Sequence, residues 1–157
     1  RIHITSDRLI MHSKTDSAEF IGNVYALQGD TEIQAQRLEI FYKSTGQGGA
    51  PSEMDESSIE RIVAQTQVTI RMADKKASSD KAVYTAEDGL LTLTGPRVEI
   101  KTSDSVITGK KVTLHRDTGQ IEISGNGENR VEAVFESTPE PPESQSGTGD
   151  QSRNPGP

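Results

Sequence analysis

The chain of 157 residues is long enough for one domain with a core and too short for two. Apolar residues make up 31%, aromatics 4%, and Trp is absent, which excludes a thick, many-layered interior. A formal charge of -7, with 17 basic residues scattered among 24 acidic ones and no basic run, argues against nucleic acid as a partner, and the lack of cysteine excludes disulfides, thiolate chemistry and cysteine metal sites.

Read from Arg1, branched residues alternate with Thr, Ser, Lys and Glu, which is the mark of a sheet with one dry face. The first candidate strands are residues 2–5, 8–12, 18–27 and 31–42. In them Ile2 and Ile4, Leu9 and Met11, Ile33 and Ala35, then Leu38 and Ile40 fall on the inward phase. The segment 44–58 follows, rich in Gly and acids and carrying Pro51, and it reads as a mobile loop inserted between strands. The later candidates are 59–72, 76–85, 90–94, 97–101, 105–115, 120–124 and 130–135. Their inward pairs are Val68 and Ile70, Leu91 and Leu93, Val98 and Ile100, Val112 and Leu114, and Ile121 and Ile123, with Thr69, Thr92, Thr113 and Glu122 outward.

Tight reversals are signalled at Glu87-Asp88-Gly89, Asp117-Thr118-Gly119 and Gly125-Asn126-Gly127. Gly22-Asn23 and Gly95-Pro96 mark corners where a strand bends from one layer to another, and Pro96 requires an edge, bulge or corner because it has no N–H for a ladder. A weak internal repeat runs through these positions. Asp7, Asp80 and Lys110 each open a strand whose return reaches a glycine, Gly22, Gly95 or Gly125, at the same offset; Gln36-Arg37-Leu38 opens a fourth copy whose return is delayed by the insertion. Such hairpins must stack to share an apolar face. From Glu136 onward the chain holds five of its seven prolines and no Val, Ile, Leu, Phe, Tyr or Met, so 136–157 is expected to be a disordered tail behind a domain of residues 1–135.

Enzyme chemistry finds no support. His3, His12 and His115 are far apart in sequence and take outward strand positions; no spacing supplies a metal site, no cofactor motif is present, and Gly109-Lys110 lacks the glycine that a phosphate loop needs. Ser6-Asp7 and Ser79-Asp80 read as turn chemistry, and Glu19 with Glu39 cannot be placed against a scissile bond. No apolar run approaches the roughly 18 residues of a membrane-spanning helix. The chain is expected to be a mature form whose export signal preceded Arg1.

The opening Arg1-Ile2-His3-Ile4-Thr5-Ser6-Asp7, the run Ala18-Glu19-Phe20-Ile21-Gly22-Asn23-Val24 with Ile33-Gln34-Ala35-Gln36-Arg37-Leu38-Glu39-Ile40 after it, and the later Leu91-Thr92-Leu93-Thr94-Gly95 and Ile107-Thr108-Gly109-Lys110-Lys111-Val112 together resemble the OstA-like family of periplasmic lipopolysaccharide transport bridge proteins. One departure is Gly95-Pro96-Arg97-Val98, where the family often has a second Gly-Asn. The resemblance implies an all-β fold, a curved V-shaped antiparallel sheet of repeats with jelly-roll character. It implies a periplasmic, non-enzymatic carrier that takes lipopolysaccharide by its lipid A acyl chains from the inner to the outer membrane. Its partners would be an inner-membrane-anchored protein of the same fold (LptC-like), an LptD-like outer-membrane protein, and copies of itself joined head to tail. Taken with period two, it nominates Ile2, Ile4, Leu38, Ile40, Ile70, Leu93, Ile100 and Leu114 as the lipid path. The edges for partners are Ile2, His3, Ile4 and Thr5 at one end and Val131, Ala133 and Phe135 at the other. Two alternatives stay open: the ectodomain of the same-fold inner-membrane partner, and a self-associating structural β-repeat module that binds no lipid.

The composition of the tail generates a first prediction. A chain ending at Glu136 will unfold at the same temperature, within error, as the full chain, because the deleted segment has too little apolar surface to offset its ordering entropy; a clear drop in calorimetric Tm would contradict this.

Overall fold

A computed structural model describes residues 2–43 and 58–136. Of the loop expected at 44–58 and the tail expected at 136–157, all but Ser58 and Glu136 lie outside the described residues. Ten strands are described: β1 (His3–Thr5), β2 (Arg8–His12), β3 (Ser17–Gln28), β4 (Thr31–Tyr42), β5 (Ile59–Met72), β6 (Lys75–Thr85), β7 (Leu90–Lys101), β8 (Ser105–His115), β9 (Ile121–Ser124) and β10 (Glu132–Phe135). All pairings are antiparallel and belong to one sheet in the order β1-β3-β4-β5-β6-β7-β8-β10, with β2 also on β3 and β9 also on β8. Two expectations change. The strands read at 90–94 and 97–101 are the two halves of β7, and the last strand begins at Glu132, leaving Val131 ahead of it.

The sheet is creased. Register shifts occur between Ile21 and Val24 on β3, Gln34 and Arg37 on β4, Gln65 and Val68 on β5, Ser78 and Lys81 on β6, and Thr94 and Val98 on β7. Because neighbouring strands shift at facing positions, these irregularities form a line across the sheet; one further shift, between Phe41 and Tyr42, lies off it at the end of β4. A bulge bends its strand, and a row of them folds the sheet into two leaves. The first leaf holds β1, the later halves of β3, β5 and β7, the earlier halves of β4, β6 and β8, and β10; the second holds β2, the complementary halves, and β9. Pro96 lies on the crease, where no ladder donor is demanded of it.

On β4 and β7 crossing the crease resets the phase of the dry face: on β4 the inward residues are Ile33 and Ala35 before it and Leu38, Ile40 and Tyr42 after it; on β7 they are Leu91 and Leu93, then Val98 and Ile100. On β3 and β5 the phase runs through unchanged, with Phe20 and Val24, and Ala64 and Val68, buried on either side. In both cases the two leaves present apolar side chains to the same interior, in agreement with the inward pairs read from period two. That interior packs Phe20, Val24, Leu38, Ile40, Val68, Ile70, Leu93, Val98 and Val112. Leu9 and Ile121, on the short outermost strands, have no neighbour beyond them and stay 49% and 40% exposed.

The sequence repeat is the crease seen in one dimension. In the hairpins β2–β3, β6–β7 and β8–β9 the register carries Asp7 opposite Gly22, Asp80 opposite Gly95 and Lys110 opposite Gly125, one step beyond the last paired residues of the second leaf. At Gly22, with φ of +87°, an added Cβ would stand 2.7 Å from the Asp7 carboxylate; at Gly95 it would stand 3.0 Å from the Asp80 backbone nitrogen. Asp7 accepts a hydrogen bond from the Asn23 side chain at 2.9 Å and donates its own N–H to the Gly22 carbonyl, which ties the corner. In the fourth copy, the β4–β5 register places Thr66 opposite Gln36, where the other copies have glycine, and Thr66 sits at φ +72° with Gln67 at +53°. Two non-glycine residues in left-handed geometry are strained, the β-branched Thr more so.

On the outer face of the second leaf, buried Glu19 stands directly opposite Glu39. Like charges so placed repel; the Arg37 guanidinium bonds the Glu19 carboxylate, and His12 Nε2 lies 3.4 Å from it. Phe41, on the same face, is covered by the Arg61 guanidinium at 4.3 Å.

Relief of the left-handed strain is measurable. Thr66→Gly is expected to stabilise the protein by about 1 kcal/mol and raise Tm by a few degrees, while Gly22→Val lowers it; a fall in Tm for Thr66→Gly would show that the Thr side chain supports the corner.

Candidate functional site

Near the crease the two leaves close on each other and the interior is dry. Away from it they part around a cavity of about 820 Å³, within the range of roughly 300–1,000 Å³ usual for small-molecule sites. The first leaf lines it with Ile2, Ile33, Ile70 and Met72, the second with Ile59, Ile62, Ala64, Ala82, Tyr84, Leu91 and Leu114. The polar side chains are at the rim: Gln28 and Thr31 on one lip, Lys43, Glu60, Glu87 and Arg116 on the other. The guanidinium of Arg116 lies 5.4 Å from the centre of the Tyr84 ring. A narrow cavity of about 30 Å³ shares Ile70, Met72, Leu91 and Leu114 with the first and extends past Lys75, Ala77, Leu93, Ile100 and Val112 to Ile121. Together they make an apolar slot from Ile2, beside β1, to Ile121 on β9, across the width of the sheet.

The nominated residues divide. Ile2, Ile70 and Leu114 line the large cavity; Ile70, Leu93, Ile100 and Leu114 line the narrow one. Ile4 packs against the core and lines neither. Leu38 and Ile40, 1% and 2% exposed, are enclosed in the dry interior and line neither. Ile59, Ile62, Ala64, Met72, Ala82 and Tyr84 were not legible as lining. Adjacent branched residues Ile62-Val63 leave the phase of that half-strand ambiguous, and alanines carry little hydrophobic signal. The register of the repeat would have found Ala82 and Tyr84, since they pair with Leu93 and Leu91.

The slot is suited to holding an apolar chain by contact. None of His3, His12 and His115 lines either cavity, and among the described residues no group of three or more His, Cys, Asp or Glu side chains converges.

The nominated edges lie at the two ends of the sheet. At one end are His3, Ile4 and Thr5 on β1, paired among the described residues only with β3. At the other is β10, paired among the described residues only with β8 and carrying Ala133 and Phe135; Phe135 is 70% exposed and Val134 half-exposed. The Glu136 N–H bonds inward to the Asp104 carbonyl. Successive strand N–H groups point in opposite directions, so those of Phe135 and Ala133 point to the free edge.

Comparison with known proteins sets this geometry in context. The family model described as LptA/(LptD N-terminal domain) LPS transport protein matches residues 3–120. An uncharacterized protein of Rhizobium meliloti (strain 1021) is 27% identical over 126 residues, 80% of this chain and 66% of the relative, so the chain spans just under two thirds of that protein's length. An uncharacterized protein of Rickettsia prowazekii (strain Madrid E) is 28% identical over 116 residues, 73% of this chain and 74% of the relative. Among solved structures, the fold is similar to that of LptH from Pseudomonas aeruginosa, described as the LptA-homologous periplasmic component of the lipopolysaccharide transport device. The TM-score is 0.70 at 12% identity, with 87% of this chain and 96% of that chain covered.

Proposed function

The chain belongs to the LptA/(LptD N-terminal domain) family of lipopolysaccharide transport proteins, and from that premise we propose that it is a periplasmic, non-enzymatic bridge that carries lipopolysaccharide by its acyl chains in the slot between the leaves. The observation that carries this reading is the apolar slot itself, which runs from one edge of the sheet to the other with charges only at its rim. Each methylene moved from water into such a slot contributes about 0.8 kcal/mol, so a twelve-carbon chain gains on the order of 10 kcal/mol before ordering costs. That is ample for capture without any covalent step. Several chains exceed the volume of one protomer's cavity, which favours a slot that continues beyond it.

Continuation has a structural route. Both leaves contain eight strands, β1-β3-β4-β5-β6-β7-β8-β10 and β2-β3-β4-β5-β6-β7-β8-β9, and all pairings are antiparallel. An even count makes the first and last strands run in opposite directions. Set β10 and β9 of one copy beside β1 and β2 of the next, and both leaves continue as antiparallel sheet with the slot in line. The free N–H groups of Ala133 and Phe135 supply ladder donors for that joint, and exposed Val134 and Phe135 supply apolar contact. The two surfaces differ, so the contact is heterologous and builds rows of variable length. Same-fold domains of an inner-membrane-anchored LptC-like protein and of an LptD-like outer-membrane protein would cap the row at its two ends by the same pairing.

Photo-crosslinkers placed at Ile62, Ile70 and Leu91 will capture lipopolysaccharide, and those at Thr92 and Thr113 on the outer face will not; equal capture on both faces would overturn the slot as the path. In analytical ultracentrifugation the chain will grow progressively with concentration, and Ala133→Pro, which removes an edge donor and leaves the β8–β10 ladder intact, will suppress growth. A strictly monomeric parent whose partner binding is also untouched by Ala133→Pro would rule out the edge joint.

A further inference from the structure

Three cations line the cavities, Lys75 from the first leaf and Lys43 and Arg116 from the second, and of these Lys75 and Arg116 lie toward the end of the sheet into which the narrow cavity extends. Lys75 begins β6 in the first leaf and lines the narrow cavity; Arg116 follows β8 in the second and lines the large one. Between them are the four apolar side chains that the cavities share, Ile70, Met72, Leu91 and Leu114. Arg116 makes no ion pair among the described residues. It is held by the Tyr84 ring and by its own N–H, which bonds the Gly89 carbonyl at 2.9 Å, so its guanidinium edge is free for an acceptor. The nearest carboxylate to Lys75 is that of Asp74, at 3.9 Å and 77% exposed, a pair too long and too wet to neutralise it.

The outer face of the same leaf carries a second irregularity of charge. Arg71, Lys76 and Lys101 are directly opposed on β5, β6 and β7, with Glu32 opposite Arg71 on β4; the three cations are exposed, and none is in an ion pair among the described residues. Like charges at opposed positions destabilise a sheet, and three in a row raise the potential beside Lys75. On the facing rim Glu60 and Glu87 separate Lys43 from Arg116, so an anion is directed to the ends of that rim, and only the Arg116 end also faces Lys75.

Resting on the reading of the slot as an acyl-chain site, we infer that Lys75 and Arg116 form a two-point clamp for the anionic head group, a phosphate or carboxylate, of the amphiphile whose chain occupies the large cavity. The clamp gives the cargo a direction: the head group sits over Met72, Leu91 and Leu114, and the chain runs beneath the rim toward Ile59, Ile33 and Ile2. Cations from opposite leaves bridged by one anion also draw the lips together over the chain.

The test uses the full chain at low ionic strength, with dodecyl phosphate and dodecyl glucoside as probes in calorimetric titration. Dodecyl phosphate is expected to bind about tenfold more tightly than the glucoside, an advantage that Lys75→Met with Arg116→Met abolishes and salt diminishes, while affinity for the glucoside changes much less than that for the phosphate. Circular dichroism and Tm verify that the double variant is folded. Equal affinity of the two probes for the parent, or equal weakening of both by the double variant, would overturn the clamp and leave the slot standing. Inorganic phosphate binding as tightly as dodecyl phosphate would reassign the cations to a free-anion site and overturn the head-group role. Failure of both alkyl probes to bind the parent would overturn the slot reading and the clamp with it.

Discussion

Among the described residues the sheet has one apolar face and no helix or second sheet to cover it, and within one chain such a sheet leaves water by folding over on itself. In this chain the requirement falls on one line of residues. Every long strand must bend at the same level, and each must do so without turning its apolar side chains outward, because in a period-two element a change of phase exchanges the faces. Bulges satisfy both demands at once. The register shifts let the strands bend, and on β4 and β7 the buried positions change phase there, so that Ala35 is followed by Leu38 and Leu93 by Val98 on the same interior, while β3 and β5 carry one phase through the bend. The dry core at the crease and the open cavity away from it are consequences of that one line: where the leaves are close, Val, Leu and Ala side chains meet; farther out Ile62 and Ile70 line a gap instead.

This division explains how much of the molecule was legible before any coordinates. Strand positions and the inward phase were readable because one face is dry and the other polar along most of the chain. The corners were readable at Gly22 and Gly95, where the close approach of an aspartate demands glycine. They were not readable at Thr66 and Gln67, which adopt left-handed geometry without its usual residue. Composition could not separate a lining residue from a core residue. Leu38 and Ile70 have the same inward phase, and only the distance from the crease and the contents of the facing leaf place the first in the interior and the second in the slot. Size misleads in the same way, since large aliphatics attract attention while Ala64 and Ala82, by being small, help to make the space.

The outer faces and edges show the cost of an open architecture. Glu19 beside Glu39 is tolerated because Arg37 and His12 converge on it, a compensation local to the second leaf. The terminal strands β1 and β10 keep free ladder groups, and β10 keeps exposed apolar side chains beside them, which a protein meant to stay alone would ordinarily blunt. Under the proposed head-to-tail pairing, even strand parity would make the joint of the same kind as every internal pairing. The chain belongs to a family of lipopolysaccharide transport proteins, and its apolar slot spans the sheet with charged side chains at its rim.

The central claim is that the slot away from the crease, and not the interior at the crease, is where acyl chains lie. Isotope-filtered NOE spectroscopy on methyl-labelled protein with unlabelled lipopolysaccharide tests it most directly. Acyl methylene protons should give cross-peaks to the methyls of Ile62, Ile70 and Leu91 and none to those of Leu38 and Val98 in the dry interior or Val63 and Val83 on the outer face. Cross-peaks confined to Val63 and Val83, or spread evenly over all three sets, would contradict the account.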